Sequence, residues 1–270
     1  MNYLRLEYKR MLKCRTFILS LIFSAAIVLL DVGQDYSFYM QGIDHHTPVF
    51  EKWIGVRYIS YGSVVWNFLF VILVSVPFSC TLCSEIKNHY DLHVISKIGK
   101  KKYFSVKVFI SFISGFLISI FTLVLDFLLL ALYNKASYPE VDSMSVAIGQ
   151  NDFLSVYFYS HPYIYCTAWL LIICIWAGIF SVFTLTVGLF VRKASIALIV
   201  AQILVIFQDI LSRFNPVFIN GSSVELSWMG LLYGDSLALN PWFTIFGNQL
   251  ALLLFCMIAI CWKGKRYSYV

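Results

Sequence analysis

Charge is what this chain has least of. Asp, Glu, Lys and Arg make up 13% of its 270 residues, where a soluble globular domain carries roughly 25%. A chain that apolar throughout belongs in lipid, and a water-soluble domain is the reading it excludes. No G-x-x-x-x-G-K-[ST] occurs, so no phosphate-cradling loop is expected and no ATPase activity of its own. H-E-x-x-H, G-x-S-x-G and paired Glu-Glu motifs are absent, so no catalytic residue is assigned. The apolar run after Arg15 lacks an A-x-A-like site, which makes it a retained span and not a cleaved leader. The seven cysteines include no pair in an outward loop. They are read as small apolar packers without a structural disulfide.

What the chain does have is six long apolar segments and a mean hydropathy of +0.79. Its few basic residues are sorted between them. Of 20 Lys and Arg, 16 fall where a single side of a membrane would collect them. They are Arg5, Lys9, Arg10, Lys13 and Arg15 at the start; Lys87, Lys97, Lys100, Lys101, Lys102 and Lys107 after the second segment; Arg192 and Lys193 after the fourth; and Lys263, Lys265 and Arg266 at the end. Only Lys52, Arg57, Lys135 and Arg213 fall on the other side. Cytoplasmic loops retain Lys and Arg, so the pattern predicts an all-α integral membrane protein of six spans with both termini cytoplasmic. The net charge of +6 is this topology signal, and no nucleic-acid partner is expected. Ten of the fourteen acidic residues lean outward: Asp31, Asp35, Asp44, Glu51, Glu140, Asp142, Asp152, Asp209, Glu225 and Asp235.

The spans are expected at about 16–30, 61–83, 104–133, 163–191, 195–212 and 242–262 of one transmembrane domain. Residues 2–14 read as an amphipathic interface helix, with Leu4, Tyr8, Met11 and Leu12 on one face and Arg5, Lys9, Arg10 and Lys13 opposite. Such a helix lies along the headgroup plane. Asp31 is taken to end the first span, and Gln34–Ser60 to form an outward loop holding His45, His46 and Trp53. Pro77 predicts a kink near the inner end of the second span. The stretch 213–241 is Gly- and Asn-rich yet apolar (Trp228, Met229, Leu231, Leu232), and is expected to be partly re-entrant. Trp53, Trp66, Trp242 and Trp262 are placed at the membrane interfaces. Asn220-Gly221-Ser222 matches a glycosylation acceptor, but the chain otherwise reads as bacterial.

The richest segment is 84–103. Glu85 follows a span, a short helix leads through Ser96-Lys97-Ile98-Gly99 to Lys100-Lys101-Lys102, and Lys107 opens the next span. This arrangement resembles the permease subunits of ABC-2-type exporters. In that family a Glu at the end of the second span precedes a small coupling helix, a Ser/Arg/Gly/Lys-rich turn and a Lys at the start of the third span. Here Ser96-Lys97-Ile98-Gly99 lacks the usual Arg. The likeness extends to the interface helix, the six spans and the partly buried region between the fifth and sixth. It implies a coupling site at Glu85, His89, Ser96, Lys97, Gly99, Lys100 and Lys101. The docking partner it implies is a cytoplasmic ATP-binding subunit, which would carry the ATP and Mg, so this chain needs no cofactor. It also implies pairing with a second permease, identical or related, in a bacterial plasma membrane. The family's substrates imply a peptide, drug or lipid-like cargo moved outward, with antimicrobial-peptide immunity as one setting.

Three polar residues inside spans are the pathway candidates: Asp126, Gln202 and Asn67. An ionisable group in a bilayer is costly and is a functional hypothesis by default. Asp126 stands near the outer end of an overlong helix, where hydration or pairing would also satisfy it. Gln202 and Asn67 suit hydrogen bonds between helices. Cys80-x2-Cys83 with His89-x3-His93 has metal-like spacing, but two of the four lie on a span. Glu85, His89 and His93, at i, i+4 and i+8, more simply line one wet helix face. Two other classes compete with the exporter: an immunity or scaffold protein that works without ATP, and an ion-coupled carrier. The carrier should show inverted repeats and several mid-membrane charges, and neither is seen.

Overall fold

The apolar segments fold as helices because lipid offers no partner for backbone N–H and C=O groups. The computed structural model describes residues 3–42, 47–57, 60–139, 148, 153–191, 193–214, 217–219, 222–224, 227–228 and 243–265. In chain order these form α1 (Tyr3–Leu12), α2 (Arg15–Met40), α3 (Val49–Lys52), α4 (Tyr61–Ser75), α5 (Ser79–Lys87), α6 (Tyr90–Ile98), α7 (Lys100–Leu130), α8 (Ser155–Ser160), α9 (Pro162–Val191), α10 (Ala194–Phe214) and α11 (Asn248–Lys265). A π-helical turn, Phe243–Gly247, leads into α11. Between α10 and α11, β1 (Val217–Ile219) and β2 (Ser222–Val224) pair antiparallel. That ribbon lies within the expected re-entrant stretch. His45, His46, Trp242 and most of 213–241 lie outside the described residues.

Five described helices are long and apolar enough to cross a membrane: Arg15–Met40, Lys100–Leu130, Pro162–Val191, Ala194–Ser212 and Ile245–Gly264. The expected second span is divided. Pro77 ends α4 after 15 residues, about 22 Å of helix against a hydrocarbon core near 30 Å. The chain restarts as α5 two residues later. The Pro77 carbonyl freed by the break accepts the Thr16 hydroxyl at 3.1 Å.

The central helix is α9, which packs against α4, α5, α7, α8, α10 and α11. Its closest crossing is with α7. A Cβ on Gly115 would lie 2.5 Å from the Ala177 carbonyl oxygen and 2.9 Å from Ser181 Cβ, and beside this point the Ser111 and Ser181 hydroxyls meet at 2.9 Å. Small residues permit such an approach in lipid. Gly115→Ala should therefore cost about 1–3 kcal/mol by overpacking, read as a lower unfolding midpoint in detergent. Gly33→Ala, with nothing within 4 Å of the added Cβ, should not lower the midpoint, since a helix interior favours alanine over glycine.

The first span is longer than expected. Asp31 does not end it: α2 continues to Met40 with Asp31 and Asp35 buried on one face. The expected outward loop is also partly a plug, since Val49–Val56 are all buried. Trp53 and Trp66 are each 1% exposed, so neither forms part of an interfacial belt. The Trp53 indole donates to the Leu123 carbonyl at 2.9 Å and the Trp169 indole to the Gly55 carbonyl at 2.8 Å. A buried loop must satisfy its polar backbone in this way. Trp262, by contrast, is exposed near the end of α11.

Candidate functional site

Two clusters of buried charge sit at opposite ends of α7, separated by the rise from Lys107 to Asp126, about 28 Å. At the basic end, Lys107 is fully buried. Its Nζ donates to Glu7 Oε2 at 2.9 Å and to Glu85 Oε1 at 2.7 Å, and lies 4.9 Å from the Phe78 ring centroid. Glu85 also accepts from Arg10 and, at 2.7 Å, from the Tyr103 hydroxyl. One ammonium thus joins α1, α5 and α7, and Glu85 is the acceptor they share. The two carboxylates and two basic groups balance. Burial works against the Arg10 charge, but Glu85 and Glu7 outweigh it and hold its pKa up. Burial, then Glu7 and Glu85, push the Tyr3 hydroxyl up as well, so it stays protonated where it stacks against Tyr103.

The interface helix meets the bundle through a different face from the one its apolar residues mark. Glu7 and Met11 are buried, while Leu4, Tyr8 and Leu12 are exposed. Tyr3, Glu7 and Met11 lie at i, i+4 and i+8, and the only acid of a basic helix faces inward because its partner is Lys107. Glu7 and Tyr103 are site residues that motif reading passed over, and Lys107 entered it only as the opening of the next span; the isolated acid on α1 was the available signal.

The expected coupling residues separate. Glu85, His89 and His93 do not line one wet face: α5 ends at Lys87, His89 takes a left-handed conformation (φ 54°), and Glu85 is 2% exposed. His89, His93, Ser96 and Lys97 are exposed on or beside α6, whose Asp91 and Ile95 are buried. Gly99 turns the chain with φ +83°, a conformation costly for any other residue. Lys100 and Lys101 face away towards α11. Two cavities open at this end. One, of about 330 Å3, is polar and is lined by Arg10, Ser84, Glu85, Asn88, Tyr90 and His93. The other, of about 680 Å3, lies between α5 and the α9–α10 turn, with Lys87, His89 and Lys193 on its walls. Among the described residues no group of three His, Cys, Asp or Glu is placed to hold a metal.

At the other end, Asp35 takes Lys52 Nζ at 3.3 Å and Arg57 Nη1 at 3.2 Å, and accepts from Asn134 Nδ2 at 3.0 Å. Asp31 accepts the Ser60 hydroxyl that also caps α4. Asp126 is fully buried, not hydrated at an outer interface. It accepts the Ile54 N–H at 2.9 Å and so pins the plug. Gln202 donates to the Phe68 carbonyl at 2.8 Å, linking α10 to α4. Asn67 is buried on α4. The three pathway candidates are thus dispersed, and the first two make contacts that hold elements together.

The fold is that of an all-α, multi-pass membrane protein. No family model matches the chain, and no solved structure does. Over 94 residues it is 33% identical to an uncharacterized protein, YybM, of Bacillus subtilis (strain 168). That match covers 35% of this chain and spans only 37% of the relative's length.

Proposed function

We propose that this chain is the membrane-spanning subunit of an ATP-driven, ABC-2-type exporter in a bacterial plasma membrane. The basic end is cytoplasmic, α4 and α5 together make one of six crossings, and a separate ATP-binding subunit grips α6. The buried latch of Lys107 with Glu7 and Glu85 supports this most directly. It ties α1, α5 and α7 at the root of a short helix whose outer side is open, so a push on α6 is delivered to two spans and the interface helix together. The polar cavity beside α6 and the larger one between α5 and the start of α10 suit a docking partner. That partner supplies ATP and Mg and drives the change of state only if it binds the two states unequally. A second permease completes the path, and the cargo is a peptide, drug or lipid-like molecule moved outward, in antimicrobial-peptide immunity among other settings.

Purification in mild detergent, from a host expressing the chromosomal neighbours, tests this. A stoichiometric ATP-binding subunit is expected. Its recovery should fall at least tenfold in Ser96→Trp/Lys97→Glu, which alters only exposed side chains of α6. A chain that purifies alone from that host overturns the exporter and leaves the immunity or scaffold protein that works without ATP.

A further inference from the structure

Helix α1 presents three stripes, because 3.6 residues per turn set positions four apart nearly above one another. Glu7 and Met11 form the buried one, turned to the bundle. Leu4, Tyr8 and Leu12 form a second beside it, and all three are exposed. Arg5 and Lys9 form a third, exposed and opposite the buried stripe. Lys13 extends the third, since its N–H continues the helical ladder to the Lys9 carbonyl at 3.2 Å. Arg10 is turned aside to Glu85. Arg5, Lys9 and Lys13 make no ion pair among the described residues. The only acid of α1, Glu7, is held by Lys107, so no side chain of the helix neutralises the basic stripe. Apolar exposure resumes at Ile18 and Leu19, one turn into α2, where the first span enters lipid.

We propose that α1 reads the charge of the leaflet at the basic end. Leu4, Tyr8 and Leu12 sit at the acyl boundary, while Arg5, Lys9 and Lys13 bind the headgroups of anionic glycerophospholipids. Apolar residues alone would hold the helix on any bilayer, and bases alone would suit any polyanion. Their adjacency at Leu4-Arg5, Tyr8-Lys9 and Leu12-Lys13 selects an anionic membrane surface, where buried apolar area and charge attraction act together. Each base near such a surface contributes about a fivefold gain in affinity, and the three together on the order of a hundredfold. The effect reaches the latch. Glu7 and Arg10 lie on the same helix and bind Lys107 and Glu85, so a leaflet that holds α1 also holds the latch closed. Lipid binding of this kind needs no ATP-binding subunit at α6.

Hydrogen–deuterium exchange of residues 3–13 tests this in the full chain, placed in nanodiscs of phosphatidylcholine alone or with phosphatidylglycerol. Phosphatidylglycerol should slow exchange of α1 about tenfold or more and leave the exposed α6 unchanged. Arg5→Gln/Lys9→Gln/Lys13→Gln should abolish the slowing, and Arg5→Lys/Lys9→Arg/Lys13→Arg should retain it. Equal unfolding midpoints in phosphatidylcholine show that both variants are folded. The wild type gives a second test that needs no variant. Raising salt from about 0.1 M to about 1 M should remove the slowing, since the Debye length falls from about 10 Å to about 3 Å. Equal exchange in the two lipids, or a slowing that the Gln variant or high salt leaves intact, would overturn the anionic-lipid site. Slowing that is the same in both lipids and requires an added ATP-binding subunit would overturn it in favour of a protein partner on the basic stripe.

Discussion

Lys107→Met should be the most damaging single substitution at the basic end. Methionine fills similar volume but takes away the ammonium that bonds both Glu7 and Glu85. Glu85 keeps Arg10 and Tyr103. Glu7 keeps Arg10, at 3.6 Å, and the neighbouring Tyr3 hydroxyl, while its side chain is fully buried. Breaking a buried pair from one side costs about 3–5 kcal/mol, because the remaining charge stays out of water. The unfolding midpoint in detergent should fall by roughly 10 °C on that scale. Glu7→Gln/Lys107→Met should recover much of the loss, since it removes the stranded charge with its partner. A double variant no more stable than Lys107→Met would mean that the ammonium matters for packing and not for charge. In the proposed exporter the two variants also separate stability from coupling. The double variant is stable but unlatched, so it should bind the ATP-binding subunit through α6 and move cargo poorly.

How far the sequence could be read depended on the range of the interactions. Helices α9 and α10 were found within two or three residues, because their apolar runs are uninterrupted and their ends fall at Pro162, at the Arg192-Lys193 turn and near Ser212. Pro77 marked a break because its effect on the helix is local. Errors arose where a charge was read by its own chemistry without its partner. Asp31 looks like a helix end in a hydropathy window, but it is held by Ser60, 29 residues away. Glu7 on a basic helix looks like a surface residue until Lys107, 100 residues on, is placed against it. Lys52 counted as an outward loop charge, yet its stem is buried and its Nζ reaches Asp35 and Asn134. The same pairing explains why 49–57 folds inward. Val49, Phe50, Trp53, Ile54 and Val56 supply apolar surface to bury, and Asp35 and Asp126 receive the polar groups that would otherwise hold the segment in water.

Asp35→Asn should release that plug. Asp35 is the carboxylate shared by Lys52 and Arg57, and Lys52 is 1% exposed. An amide in its place takes away the negative charge shared by a buried ammonium and Arg57, at a cost again of about 3–5 kcal/mol. The aspartates around it should behave differently. Among the described residues four buried carboxylates, Asp31, Asp35, Glu51 and Asp126, share this end with two basic groups, Lys52 and Arg57, so acids outnumber bases. Asp126→Asn reduces that excess and keeps an oxygen to accept the Ile54 N–H. It should change stability by no more than about 1 kcal/mol, the scale of one hydrogen bond. Thermal unfolding of the two variants, with limited proteolysis between Met40 and Tyr61, checks the contrast. Asp35→Asn should unfold earlier and be cut faster in that segment, and Asp126→Asn should resemble the wild type in both. Equal destabilisation would show that Asp126 carries as much of the plug as Asp35 does. If Asp126→Asn stays stable while transport is lost, Asp126 is on the path of the cargo. If transport is kept as well, its role is to pin the plug.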